Sequence, residues 1–557
     1  MRRRDFILTA AAVGLSGGAL FEAEQRMSAS VAYPGRDQGH WLRDVKILPQ
    51  PTETIETDVL IAGSGIGGLT AGWQLSKLGV RDLLVVDGPE HHGNAAAGRD
   101  GDLVFPTGAH YLPLPSLQSV HIREMLYDFG IIQRDPYGER PGYDERCLVH
   151  SPAERVLYRG AWQEGYLPSE AVSARERDEH ARFFAMVDWY SAARGNDGRR
   201  AFAVPLELSS DDEKFRALDR LTFKTWLDGV ELKSPTLHWY LDYCCRDDYG
   251  RHYDEVSAWA GLHYFCGRDG LAANAERGAV LTWPAGLAAL AGSLENGRHA
   301  PQNWLSGSVA KLHATATGVE ALVISLAGGL KVVRVKARQA IAAMPLFVLQ
   351  HVFADAGGYG FVPTRDVPAY APWLVSNFVM RAFPEERSGA PLSWDNVVYK
   401  EPGLGYVVST HQEIRASRPE RSAFTAYHAL SDLEPEAGRR WLMGASRADL
   451  LQAAGRDLTR AYGWRLPLCV EHVAITVRGH AMAIPEPGFL SNPGRLSLRS
   501  AAGPIFFAHS DLSGLSLFEE AAWWGYRAAR RLAAARGISC KNEGLAPDAA
   551  ARVSKFF

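Results

Sequence analysis

The stretch Asp58 to Gly79, DVLIAGSGIGGLTAGWQLSKLG, constrains the fold more than any other part of this chain. An apolar β-type run, Val59-Leu60-Ile61, enters a turn bearing Gly63, Gly65 and Gly68, and a helix-type pattern follows at once. This is the G-x-G-x-x-G fingerprint in the setting that gives it meaning, between a strand and a helix. Gly63 permits the tight turn, Gly65 lets the backbone approach a pyrophosphate, and Gly68 lets the helix lie close on the sheet. The helix N-terminus then turns the amides of Ile66 and Gly67 toward the phosphates. A second apolar run, Leu83 to Val86, ends in Asp87, at about the 20-residue spacing expected of the acid that holds a ribose hydroxyl. Together these features predict a dinucleotide-binding βαβ unit.

At 557 residues the chain is long enough for two or more domains. Basic and acidic residues nearly balance, 60 against 63, and no basic stripe is evident, which argues against a nucleic-acid partner. The N-terminus carries a separate signal. Arg2, Arg3 and Arg4 precede Asp5-Phe6-Ile7-Leu8 and a small apolar run through Leu20, the pattern of a twin-arginine export signal. The apolar run is too short for a stable membrane span, and Ser30-Val31-Ala32 before Tyr33 offers a small-residue cleavage site. Residues 1–32 are expected to be a signal peptide read by the twin-arginine export machinery, 33–54 a linker, and the mature protein periplasmic. Export by this route suits a protein that folds around its cofactor before crossing the membrane. The six cysteines show no C-x-x-C or Cys/His spacing suited to zinc, so no metal site is expected. Cys244 and Cys245 are neighbours, too close to bond each other without strain, and buried free thiols are the expected state.

Beyond Asp87 a loop of small residues runs through Gly93, Asn94 and Gly98 to Arg99, where an arginine is suited to a phosphate. Arg175 to Ala193 and Phe215 to Leu227 have apolar residues at helical spacing. Leu312 to Thr317 and Val319 to Val335 are β-type, residues 370 to 430 are β-type and aromatic, and 434 to 463 is helical. The last structured stretch, Pro504 to Ala535, pairs a buried strand with a helix. On that helix Ala521, Gly525 and Ala529 recur every four residues and form a face small enough to lie against a sheet or cofactor.

With these residues in view the chain resembles the flavin-containing amine oxidases, a superfamily that also holds the phytoene desaturase-like enzymes. Four segments carry the likeness: the fingerprint with Asp87; Gly93 to Arg99 with Gly108-Ala109-His110; Ser308-Val309 and the meander to Ala342-Ala343-Met344-Pro345-Leu346; and Ile505-Phe506-Phe507-Ala508 with Asp511 and the helix after Ser516. The resemblance implies an α/β fold, with an interrupted Rossmann-like FAD-binding domain and an α+β substrate domain. The FAD-binding parts are expected at 55–115, 276–345 and 471–537, the substrate parts at 116–275 and 346–470, and a tail at 538–557. It implies non-covalent FAD bound by Gly63, Gly65, Ile66, Gly67, Gly68, Asp87, Gly93, Asn94, Arg99, Gly108, Val309, Asp511 and Leu517. The chain departs from the family where Leu517 replaces an aromatic residue. It departs again where Ser376 and Asn377 stand in place of a lysine, and where Ala508-His509 replaces Ala-Gly.

His110, His411, His480 and His509 are the titratable residues in segments expected near the ring, and His110, His480 and His509 are the catalytic candidates. Arg246, Asp247, Asp248 and Tyr249 form a compact polar cluster, read either as substrate recognition or as an internal salt bridge. The expected activity is dehydrogenation of a small molecule, with hydride passing to flavin N5 and oxygen or a quinone-like acceptor restoring the oxidised form. An amine leads by resemblance. The alternatives are a desaturase or isomerase of an apolar unsaturated substrate, and an exported FAD-bearing partner or sensor without turnover.

Overall fold

The structure, a computed structural model, describes residues 27–45, 47–325 and 330–540. The arginine run and the apolar stretch after it lie outside the described residues, as does most of the expected tail.

A seven-stranded sheet forms around the fingerprint. Asn303–Leu305, Leu83–Val86, Glu53–Ala62 and Lys331–Ala342 lie side by side and parallel, with Val59 opposite Leu83 and Ala340 opposite Leu60. Along its other edge Lys331–Ala342 first pairs antiparallel with the meander Gly318–Ser325 and Ser308–Thr315. Where the meander peels away, Ile505–Phe507 takes its place, Ala340 facing Ile505. The carboxyl ends of five parallel strands therefore meet at one edge, the place where open α/β sheets bind ligands.

The fingerprint helix Ile66–Lys77 is buried along nearly its whole length, between this sheet and the closing helix Phe518–Ala535. Backbone meets backbone here. A Cβ on Gly525 would stand 2.1 Å from the carbonyl oxygen of Gly67, and one on Gly67 would stand 2.3 Å from that of Ala508. The small face read on the closing helix is what permits this approach.

The second sheet has eight strands and supports the substrate side. Tyr370–Met380 lies at its centre, flanked by Val470–Ala483 and Ser422–Ala429. The sheet continues through Tyr406–Val408 and Asp395–Val398 to Glu154–Tyr158. A helical layer with its own aromatic core, including Phe183, Phe202, Trp226 and Trp259, covers it through Pro235–Tyr249 and Ala258–Cys266.

Several sequence boundaries move. The expected return to the dinucleotide domain at 471 comes too early, because Val470–Ala483 is a full member of the eight-stranded sheet. The expected linker holds a helix, Arg36–Asp44, whose Trp41 and Leu42 pack on Ala310, Ile324 and Val332. The helix read over 215–227 is broken: Thr222 accepts from the Thr225 amide and starts a new helix, Phe223–Gly229. The segment 434–463 is likewise two helices, Pro435–Gly444 and Arg447–Tyr462, divided where Ser446 and Asp449 form a capping box. All six cysteines are free thiols. Among the described residues no helix is long and apolar enough to cross a membrane.

The N-terminal boundary moves as well. Ala29–Ala32 is the edge strand of the eight-stranded sheet, parallel to Val473–Thr476, and Met27, Val31 and Tyr33 pack on that sheet's core. The expected cleavage after Ala32 would strip this strand away and leave the backbone edge of Val470–Ala483 unpaired. A protein beginning at Tyr33 should therefore melt several degrees below one beginning at Met27, as read by thermal unfolding of the two forms.

Candidate functional site

The fingerprint turn separates two reasons for a glycine. Gly63 has φ +121°, and a Cβ there would stand 2.4 Å from the Ala343 carbonyl oxygen; a Cβ on Gly68 would stand 1.9 Å from that of Gly63. The fold itself forbids side chains at both. Gly65 differs: its φ of −68° suits any residue, and a Cβ there would meet nothing within 4 Å. The amides of Gly65, Ile66 and Gly67, at the start of a buried helix, have no backbone acceptor among the described residues. Open space before a glycine, faced by unpaired donors at a helix N-terminus, is an anion cradle.

Ser64 closes the cradle's side, donating both its amide (3.0 Å) and its hydroxyl (2.6 Å) to the Asp87 carbonyl. The Asp87 carboxylate remains partly exposed, 3.6 Å from His91 Nδ1. His91 and His92 in turn share Glu295, and these three are a group whose spacing suits a metal ion. A Cβ on Gly93 would stand 3.8 Å from the Gly65 Cα. Asn94 donates to the Ala481 carbonyl and accepts the Ala109 amide on its own carbonyl. Gly108 presses against that same Asn94 carbonyl, and Val309 is buried beside a bulge in its strand. These residues fit a dinucleotide: free amides for the diphosphate and a carboxylate for a ribose.

Arg99 lies elsewhere, exposed in the hairpin of Ala97–Asp100 with Leu103–Pro106. The arginine that reaches the loop is Arg478, which the sequence reading missed. It forks onto both oxygens of Glu90 (2.9 and 2.8 Å), and also donates to Asn94 Oδ1 (3.0 Å) and the Thr107 carbonyl (2.7 Å). A buried arginine in an otherwise apolar strand, AITVRGH, was the available signal.

The three histidine candidates do not converge. His509 accepts the Asp511 amide on Nδ1, capping a short turn. Asp511 is buried, and its Oδ2 accepts from the Leu346 amide and Tyr370 hydroxyl. Burial works against its ionisation, yet His509 and these donors hold the carboxyl below its usual range. His480 stacks on Phe347 beside Tyr370, and burial pushes its pKa down to about 4. Leu517 caps the closing helix and packs into the helical layer's core. His411 Nε2 donates to the His150 carbonyl and plays no part in this group.

His110 stands apart, in the wall of an aromatic chamber. Its ring stacks on Tyr427 at 4.6 Å and touches Tyr111 and Trp394. Burial pushes its pKa down to about 3, so it is neutral at ordinary pH, and yet the residue keeps accessible surface. Tyr427 ties this wall to the cradle by donating to the Gly108 carbonyl at 3.0 Å.

Three carboxylates share the chamber. Asp395 accepts from Tyr166 (2.8 Å) and from the Asn396 amide (2.7 Å); burial and the field of Asp247 push its pKa up to about 8. Asp247 makes no hydrogen bond with a described residue, and burial with the neighbouring Asp248 pushes it up to about 7. Glu154 also rises to about 7, chiefly by burial. The polar cluster of the sequence thus divides. Arg246 is spent on Asp242 and Asp248 on Arg268, an internal salt-bridge network, while Asp247 is left over. From the chamber an aromatic path leads outward, Tyr166 to Tyr243 to Trp239 to Tyr399, and Tyr399 lines an outer cavity of about 780 Å³.

Two predictions follow from this geometry. Gly65→Leu should leave the fold's melting temperature nearly unchanged while abolishing dinucleotide binding, whereas Gly67→Leu should fail to fold; dinucleotide content and thermal melts distinguish them. Asp395 holds its proton to about pH 8 when folded and loses it near the ordinary carboxyl value when unfolded. Its contribution is present in acid and lost as pH rises through about 8. Asp395→Asn should therefore match the parent near pH 3 and exceed it at pH 9, by on the order of 1–3 kcal/mol in denaturant melts.

Comparisons with known proteins agree with this architecture. Residues 61–129 match the model of an NAD(P)-binding Rossmann-like domain. No curated protein sequence matches the chain. Among solved structures, putrescine oxidase bound to putrescine superposes with a TM-score of 0.58 at 15% identity, covering 86% of this chain and 100% of its own. Cyclohexylamine oxidase from Brevibacterium oxydans gives 0.60 at 16%, covering 87% and 100%. A putative protoporphyrinogen oxidase from Exiguobacterium gives 0.55 at 13%, covering 87% and 99%. The chain therefore has the amine-oxidase-like α/β fold, a Rossmann-like domain interrupted by an α+β substrate domain.

Proposed function

We propose that this chain is an FAD-dependent oxidoreductase that dehydrogenates an amine. The observation that carries the reading is an anion cradle with free amides and Asp87, tied by the Tyr427 hydroxyl's bond to the Gly108 carbonyl to an aromatic cluster that holds carboxylates. FAD on the cradle would supply a two-electron acceptor, taking hydride from the substrate carbon and leaving an imine.

The chain's own residues do the rest. Trp394, Tyr427 and Tyr111 form flat walls that orient a small molecule and exclude water. His110, held neutral by burial, adds no positive charge to repel an ammonium. Asp247 and Glu154, each pushed up to about 7, are part-ionised near neutral pH and offer a cationic substrate its counter-charge, while Asp395 keeps its proton to about pH 8. An apolar polyene would leave all three facing hydrocarbon, which disfavours the desaturase or isomerase reading. Oxygen or a quinone-like acceptor would remove the electrons. The arginine pattern at residues 2–4 supports export to the periplasm by the twin-arginine route.

The purified protein should be yellow with bound FAD, and anaerobic mixing with a panel of primary amines should bleach the flavin. Bleaching by polyenes and by no amine would replace this reading with the desaturase one. A colourless protein that refuses added FAD would remove both.

A further inference from the structure

Beside the anion cradle, the loop after Asp87 carries a cluster with a different chemistry. His91 and His92 are chain neighbours, and neighbouring side chains on an extended chain point apart. Here they do not. His92 has φ +64°, in the left-handed region, and its ring lies beside that of His91 with the centroids 4.1 Å apart. A side chain other than glycine is uncommon in that region, and such residues gather at functional sites.

Both rings close on one carboxylate. Glu295 comes from the helix Ala288–Asn296, 204 residues along the chain from His91. It meets His91 Nε2 on one oxygen at 3.0 Å and His92 Nε2 on the other at 2.9 Å. The ligand atoms of the three residues all lie within 4.8 Å of one another. A tetrahedral zinc ion with bonds of about 2.0–2.1 Å would hold its ligand atoms roughly 3.4 Å apart, so these two contacts need open by only about 0.4 Å.

The charge and the surroundings agree with a cation. Asp87 and Glu295 form their ion pairs with these histidines, and among the described residues neither is paired with a lysine or an arginine. A histidine that binds a metal through Nε2 carries its proton on Nδ1, and His91 Nδ1 faces Asp87 Oδ1 at 3.6 Å and Ser64 Oγ at 3.5 Å. A carboxylate behind the ring is the arrangement that fixes the orientation of a ligating histidine. His91 is also exposed on one side, which gives water access to a fourth position. Two imidazoles and a carboxylate with one open position suit zinc.

We propose that His91, His92 and Glu295 form a zinc site, with Asp87 behind His91, that pins the loop flanking the cradle to the helix Ala288–Asn296. Cysteine spacing gives no sign of such a site, because no cysteine takes part and the third ligand is remote in sequence. The site holds whatever the cradle binds.

The test uses the purified full chain without an oligohistidine tag, stripped with EDTA, and zinc ion as the probe. Calorimetry should show one tight zinc ion per chain, and the melting temperature should rise with zinc and fall back with EDTA. His92→Asn, which tolerates the left-handed backbone, and Glu295→Gln, which keeps an oxygen for one histidine, should each weaken zinc binding by on the order of 100-fold. Melts of the metal-free variants check that both fold. Zinc-edge X-ray absorption on the parent needs no variant, and should show a nitrogen and oxygen shell with two imidazoles and no sulfur. Failure to bind zinc, a sulfur ligand, or an affinity that survives both substitutions overturns the site.

Discussion

The close approach of Gly67 to Gly525 and Ala508 is the contact on which the site depends. It joins the fingerprint helix near the start of the folded chain to the closing helix near its end, backbone on backbone, with no side chain between. Because atoms at such separations have no room to adjust, the position of the cradle amides is set by the closing helix as much as by their own turn. The sheet repeats the arrangement. Ile505–Phe507 completes the edge of Lys331–Ala342 only beyond the point where the meander leaves it. The cradle is thus assembled from sequence extremes and is complete only when both are in place.

A second clamp fixes the two domains against each other. Arg478 belongs to the substrate sheet, yet its guanidinium is spent on Glu90, Asn94 and Thr107 of the dinucleotide domain. A planar, bidentate pairing on Glu90 with two further acceptors resists rotation in a way that a single ammonium would not. Asn94 and Tyr427 add bonds across the same seam, to Ala481 and Gly108. The chamber keeps its register to the cradle through these polar contacts.

Much of this was legible in the sequence, and the reasons differ by element. The βαβ unit was readable because its turn, helix and acid are local, and the small face of the closing helix because its period is fixed by helix geometry. The β-meander was visible by pattern, and 434–463 was legible as helical but not as two helices, because the capping box of Ser446 and Asp449 interrupts a periodicity that runs on across it. Arg99 reads as a phosphate partner because it ends the small-residue loop that begins at Gly93. A hairpin carries it to the surface instead, and Arg478, far away in sequence, reaches the loop. Asp395 and Glu154 were missed because each begins a short apolar strand and reads as a solvated strand end. Only tertiary pairing, which sets those strands side by side and parallel, brings the two acids into one chamber. Asp247 was noticed, but its company in sequence suggested a salt bridge, and only the structure shows that its neighbours take the available cations.

The edge strand Ala29–Ala32 has a consequence for the order of assembly. Its hydrogen-bonding neighbour, Val473–Thr476, is made more than 400 residues later, so this strand has no docking place until the chain has been synthesised beyond that point. Burial of Met27, Val31 and Tyr33 against the sheet then becomes a late event, one that reports a finished molecule rather than a nascent one.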